Sequence, residues 1–175
     1  MSCDISRGRL EPCKDSVGGL NAVYFVNKGD LGAITYDATD TDVIDAVAGT
    51  PDAYKFDIKG ASTYTENITS SRENGTTTFE QVLELQLTKL TKEDHKTVKL
   101  LAFGSPTVLV EDNNGNVFVA GLEHGLDVSG GTIVSGASMG DMSGYTLTFS
   151  GMEKAPANFL GDTISAVGFT VNEGV

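Results

Sequence analysis

Residues 76–87 read TTTFEQVLELQL, and the alternation in this stretch decides the fold. Phe79, Leu83, Leu85 and Leu87 fall on one side, with Gln81 among them, while Glu80, Val82, Glu84 and Gln86 fall on the other. A period of two places successive side chains on opposite faces, so the pattern describes a β-strand with one face built for a core and one for water. Upstream, ASTYTENIT (61–69) has the same strand composition, and the intervening SSRENG carries Asn74-Gly75, a strong hairpin signal. Arms of about ten residues reach roughly 33 Å. They exceed the usual strand length of about five to six residues, so the hairpin is expected to project beyond a compact body.

Working outward, the chain stays β-rich. AVYFV (22–26), LGAITY (31–36), AYKFDIKG (53–60), the pair TVLVED and NVFVAG around DNNGN (112–116), GYTLTFSGMEKAP (144–156) and TISAVGFTV (163–171) all read as strands. In the 144–156 segment Tyr145, Leu147 and Phe149 share one face, and Thr146, Thr148 and Ser150 the other. TKEDHKTVKLLAFG (91–104) is the one clear helix. Thr91 is placed to cap it, Asp94 stands at the capping-box position, Val98, Leu101 and Ala102 form its apolar stripe, and Gly104 and Pro106 end it. The acidic segment 37–52 is expected to be a loop or to hold a short helical turn at 42–48. The Gly- and Ser-rich segment 122–144 is expected to be a loop, and residues 1–17 a polar N-terminal arm. With no internal repeat and no linker, residues 1–175 are expected to form one domain. The order of strands, one helix and strands makes its class mainly β, α+β at most.

Charge excludes more than it assigns. Twelve basic residues against twenty-four acidic ones give a net charge of −12, so tight nucleic-acid binding is not expected. An acidic wall would instead let DNA slide past without sticking. No apolar run approaches the roughly 20 residues that cross a bilayer, and the polar start lacks a secretory h-region. The expectation is a chain that stays inside the cell that makes it, with no membrane insertion and with Cys3 and Cys13 as free thiols.

Few motifs suggest chemistry. GASMG (136–140) matches G-x-S-x-G letter for letter, with Ser138 as the would-be nucleophile. That motif needs a strand before it, a helix after it and a later histidine. Both His95 and His124 precede Ser138, and a strand follows it, so a flexible Gly/Ser loop is expected and no enzyme. DNNGN breaks the spacing of a calcium loop and reads as a hairpin turn. His95 is expected to be solvated on the helix, and His124 to pack or cap a turn. No metal and no cofactor are expected.

The middle and end of the chain resemble the major tail tube proteins of tailed bacteriophages. The likeness is carried by ENGTTTFEQVLELQLTKL, the helix TKEDHKTVKLLAFG, the pair TVLVEDNNGNVFVAG, and LEHGLDVSGGTIVSGASMGDMSGYTLTFSGMEKAPA. It spans roughly residues 60–157, with weaker support from GGLNAVYFVNKGDL (18–31). The resemblance implies a β-sandwich or rolled barrel with one flanking α-helix, whose long β-hairpins join a barrel between subunits; six copies form a ring, and rings stack into a hollow tube. The lumen of that inner barrel would pass DNA and the tape measure protein. Glu66, Glu80, Glu84, Thr146, Thr148 and Ser150 are then the lumen-facing candidates. Asp40, Asp42 and Asp45, the hairpin tip Arg72, Glu73 and Asn74, and Met139 and Met142 are candidates for contacts between subunits or rings. Segments 37–52 and 122–144 would be inter-subunit loops.

Partners implied are other copies of the chain, the tape measure protein, tail terminator and baseplate or hub proteins, a possible sheath, and double-stranded DNA in transit. The place implied is the virion tail, made in the host bacterial cytoplasm. Alternative readings are a tail terminator or baseplate ring of the same fold, or a virion decoration or glycan-binding β-sandwich. Sparse aromatics and the absence of Trp speak against the glycan reading.

Overall fold

The computed structural model describes residues 3–59 and 61–174. Met1 and Ser2 of the expected arm, Gly60 at the end of an expected strand, and Val175 lie outside them. Two sheets form the body. The larger has eight strands in the order β12-β4-β1-β7-β8-β11-β3-β2, and the smaller has four in the order β5-β6-β10-β9. In chain order the larger sheet is built from β1 (Leu20–Val26), β2 (Ile34–Tyr36), β3 (Val43–Val47), β4 (Asp52–Asp57), β7 (Thr107–Asp112), β8 (Val117–Ala120), β11 (Asn158–Leu160) and β12 (Thr170–Asn172). The smaller is built from β5 (Thr63–Ser71), β6 (Thr76–Thr88), β9 (Asp127–Val134) and β10 (Gly144–Glu153). All its neighbours run antiparallel.

The sheets meet face to face over one core. Val23 and Phe25 of β1, Val108 and Val110 of β7, Leu83 and Leu85 of β6, and Tyr145, Leu147 and Phe149 of β10 are buried there together. The alternate residues of the same central strands, Ala22, Tyr24, Val26 and Leu109, enter a second core on the far side of the larger sheet. There they meet Ile44, Val47, Ile164, Val167 and Phe169. Strands β1 and β7 are therefore buried on both faces, which is why AVYFV and TVLV read as nearly continuous apolar runs rather than alternations. This is the expected mainly-β architecture of two packed sheets with one flanking helix.

That helix, α1 (Lys92–Phe103), starts as its sequence dictates: the Thr91 side chain accepts from the Asp94 N–H at 3.0 Å. Val98 and Leu101 pack on the inter-sheet core, and the Tyr145 hydroxyl donates to the Thr91 carbonyl at 3.3 Å. Ala102 is exposed, so the inward stripe is narrower than expected.

Three segments differ from expectation. Segment 37–52 is neither a loop nor a helical turn. It carries β3, which pairs with β2 and in parallel with β11, burying Ile44 and Val47. Segment 122–144 carries β9, an eight-residue strand paired with β10. Two adjacent glycines dilute its alternation, and its partner strand supplies the order its own sequence lacks. Segment 163–171 is not one strand but a short helix, α2 (Ile164–Val167), followed by β12. Thr163 caps α2, and Gly168 ends it at φ 119° in the left-handed region that favours glycine.

Candidate functional site: a polar sheet face with two bare edges

The long hairpin builds the most distinctive surface. Strands β5 and β6 are joined by Arg72–Gly75, with Ser71 opposite Thr76, and Gly75 at φ 63° supplies the turn. Register then fixes every side chain. Strand β6 sends Gln81, Leu83 and Leu85 into the core and leaves Glu80, Val82, Glu84 and Gln86 on the outer face. Strand β10 pairs Thr146 with Gln86, Thr148 with Glu84 and Ser150 with Val82. Glu80, Glu84, Thr146, Thr148 and Ser150 thus share one face with Thr63, Thr65 and Asn67 of β5 and Thr132 of β9. The Asn67 amide lies 3.5 Å from Glu80 Oε2. None of the four strands contains a single lysine or arginine. The wall is therefore mostly polar, rich in threonine and purely acidic in its charge, with Val82 and the exposed Met152 as apolar members.

Glu66 is the correction to this set. Register pairs it with Gln81, on the core side. Its Oε1 accepts from the Tyr64 hydroxyl at 2.6 Å and from the Ala157 N–H at 3.0 Å. Burial first, and then the bond to Glu66, push the Tyr64 hydroxyl far above its ordinary pKa. Glu66 holds the hairpin to the segment after β10 and does not face the polar wall.

The outer strands of this sheet, β5 and β9, are nine and eight residues long, and neither has a partner beyond β6 or β10. Natural edge strands are blunted by lysine, proline or shortness. Neither β5 nor β9 carries lysine or proline and neither is short, although β5 turns the charged Glu66 inward and β9 has a register shift in its pairing and lies beside α1. The chain runs in opposite directions along them, because three antiparallel pairings separate them.

The loop candidates scatter. Arg72, Glu73 and Asn74 are exposed together at the hairpin tip. Asp40, Asp42 and Asp45 are exposed around β3, far along the chain from that tip. There Asp37 accepts from the Thr39 and Asp40 N–H groups, which hold its carboxylate below the usual range. Met139 is fully exposed, but Met142 is half-buried, its sulfur accepting from the Gln86 amide at 2.6 Å. Met142 is therefore tied to its own chain.

GASMG is a turn built around Asp141. The Asp141 carboxylate accepts from the Ser138 and Ala137 N–H groups at 2.8 and 2.9 Å. These backbone donors, Ser138 first, lower its pKa. Both histidines are engaged elsewhere: His95 lies against the Tyr145 ring, and His124 bonds Glu153. DNNGN is the β7–β8 hairpin turn. Desolvation raises the Asp112 pKa, but donors from Asn116 and Asn114 outweigh it and leave it below 3.8.

Two buried polar side chains make bonds that the sequence pattern alone did not assign. Gln81 is buried in the core and its Oε1 accepts from the Gly121 N–H at 2.7 Å, while Thr107 donates to the Gly121 carbonyl at 3.1 Å. Glu153 is buried and accepts from the His124 N–H at 2.9 Å, with His124 Nδ1 at 3.2 Å. The alternation 145, 147, 149, 151, 153 already sends Glu153 inward, which was the available signal. Glu123, His124 and Glu153 bring metal-ligand atoms within 4.8 Å of one another. Glu123 is paired with Lys154 at 3.3 Å and Glu153 with His124, so each carboxylate has a protein partner. Among the described residues no helix is long and apolar enough to cross a membrane.

No family model matches the chain, and neither a curated protein nor a solved structure matches it.

Proposed function

We propose that the chain is the structural subunit of a bacteriophage-type tail tube, with the β5-β6-β10-β9 sheet forming the wall of the lumen. The observation that carries this reading is the combination of a cation-free, threonine-lined face with two long unpaired edge strands on the same sheet. Bare edges of this length invite pairing with another chain. Because β5 and β9 run in opposite directions, pairing β9 of one copy with β5 of the next continues the antiparallel alternation. That contact is head-to-tail, and such contacts generate rings where the rotation closes.

Size is consistent with passage of DNA. Six copies, the number the family resemblance implies, give roughly 24 strands. At about 4.8 Å spacing and a tilt of about 40°, these close a barrel roughly 40–50 Å across, wider than a duplex. Glu80 and Glu84 would repel the DNA backbone, and the short hydroxyl side chains would leave the bore open. The tape measure protein would occupy the same lumen during assembly, and terminator and baseplate proteins would cap the two ends.

Electron microscopy of the purified protein at high concentration tests the reading. Hollow rings or tubes are expected, with Glu80 and Glu84 facing the axis in cross-section. A monodisperse monomer, or a ring with these residues turned outward, overturns it.

A further inference from the structure

Two apolar features of the chain face solvent, and their chemistry is complementary. The first is the arm. Residues 3–17 form no helix or strand, and Ile5 and Leu10 are 93% and 92% exposed. Between them lie Arg7 and Arg9. The root of the arm is fixed: the Val17 N–H donates to Asn114 Oδ1, Asn114 Nδ2 donates to the Val17 carbonyl, and Asn113 Nδ2 donates to the Gly18 carbonyl, at 2.9, 2.7 and 2.9 Å. A firmly anchored root carrying an exposed apolar segment resembles a tether with a docking element.

The second is a groove of about 500 Å³ between α1 and the larger sheet, lined by Phe25, Tyr54, Phe56, Leu100 and Leu101. Leu100 is 62% exposed at its rim. Beside it, sharing Tyr54, Phe56 and Thr97, runs a trough with five carboxylates, Asp52, Asp57, Glu93, Asp94 and Glu173, against Lys55 and Lys59. Lys55 is already bridged to Asp57 and Glu173.

We propose that the Ile5–Leu10 segment of one copy docks on this groove of a second copy, with Leu10 in the apolar pocket and Arg7 and Arg9 over the acidic trough. Charge supports the match. The arm carries three basic and three acidic residues, Arg7, Arg9 and Lys14 against Asp4, Glu11 and Asp15, so the whole net charge of −12 lies on the rest of the chain. The arm's own groove lies at the far end of β1, about 20 Å from the root. Residues 5–16 could span up to about 40 Å, yet Ile5 and Leu10 remain bare in the single chain. The arm is long enough to reach its own groove yet the two features do not meet within the single chain, which leaves a second copy as the proposed occupant. Where the tube reading holds, this contact ties one subunit to another independently of the sheet edges.

A cross-linking experiment tests it. In a Cys3→Ser, Cys13→Ser background, one isotope-labelled chain carries Glu11→Cys and one unlabelled chain carries Thr97→Cys. Mixing and mild oxidation should give a disulfide joining labelled to unlabelled peptide. Adding Leu10→Ser should cut its yield about tenfold, the loss expected from removing one buried apolar anchor. Arg7→Glu with Arg9→Glu, or high salt, should cut it as well. A chain carrying both cysteines reports docking on its own groove. A link found only within one chain, or one unaffected by Leu10→Ser, overturns the proposal. So does the absence of any link under conditions where the chains associate, or where they remain monomers. Rings without the link refute the arm contact alone, and the link without rings refutes the tube alone.

Discussion

At the scale of single residues, the core is specified by a few polar side chains that close backbone accounts. Gly121 lies between β8 and the next loop; the Gln81 side chain is the acceptor for its N–H, and its carbonyl accepts from both the Thr107 hydroxyl and the Gly125 N–H. Gln81→Leu keeps the volume but leaves a buried N–H unpaired. Such a group costs about 1–3 kcal/mol, and urea denaturation should show that loss. Asp112 gathers donors from both Asn114 and Asn116, and its pKa is lowered on folding. A lowered pKa contributes stability that is present above the unfolded value of 3.8 and lost as pH falls through the folded one. The stability gap between the parent chain and Asp112→Ala should therefore narrow as pH drops below about 4, as read by unfolding curves at stepped pH.

At the scale of elements, legibility followed the strength of local pattern. Strand β6 and helix α1 could be read because their periodicities and caps agree with their tertiary surroundings. Strand β9 and the pair β3 and β11 could not, because their order comes from neighbours: β9 has two glycines in its middle, and β11 has three residues. Glu66 was misplaced for a more specific reason. Once the turn is set at Arg72–Gly75, Ser71 faces Thr76 and Glu66 must face Gln81, on the core side. The strand alternation was read, but the register was not. Helix α2 had signals in the Thr163 cap and in Gly168, hidden inside an apolar run that also suits a strand. Gly168→Ala tests the weight of that stop. Position 168 has φ 119°, and a Cβ there would lie 2.5 Å from the Val47 carbonyl oxygen. A glycine replaced by alanine at a compatible position gains about 0.4–1 kcal/mol, whereas this variant should lose more than about 1 kcal/mol, measured as a lower thermal midpoint.

At the scale of the whole molecule, charge is sorted by surface. All twelve cations lie outside the four strands of the smaller sheet. If that sheet lines a bore, reversing its charge should change passage and not assembly. Glu80→Lys with Glu84→Lys should still fold and form rings, since both side chains already face away from the core. The assembled variant should retain duplex DNA in a gel shift, and the retention should vanish as salt rises. Retention by the parent chain as well would show that the acidic wall does not repel.

The alternation of β6 and β10 has a consequence for how such a surface can change over generations. Odd positions answer to packing and even positions to whatever the face meets. Neighbouring letters of one strand are thus under separate selection. A lineage can change what the face meets by substituting every second residue, while the intervening residues keep the same fold.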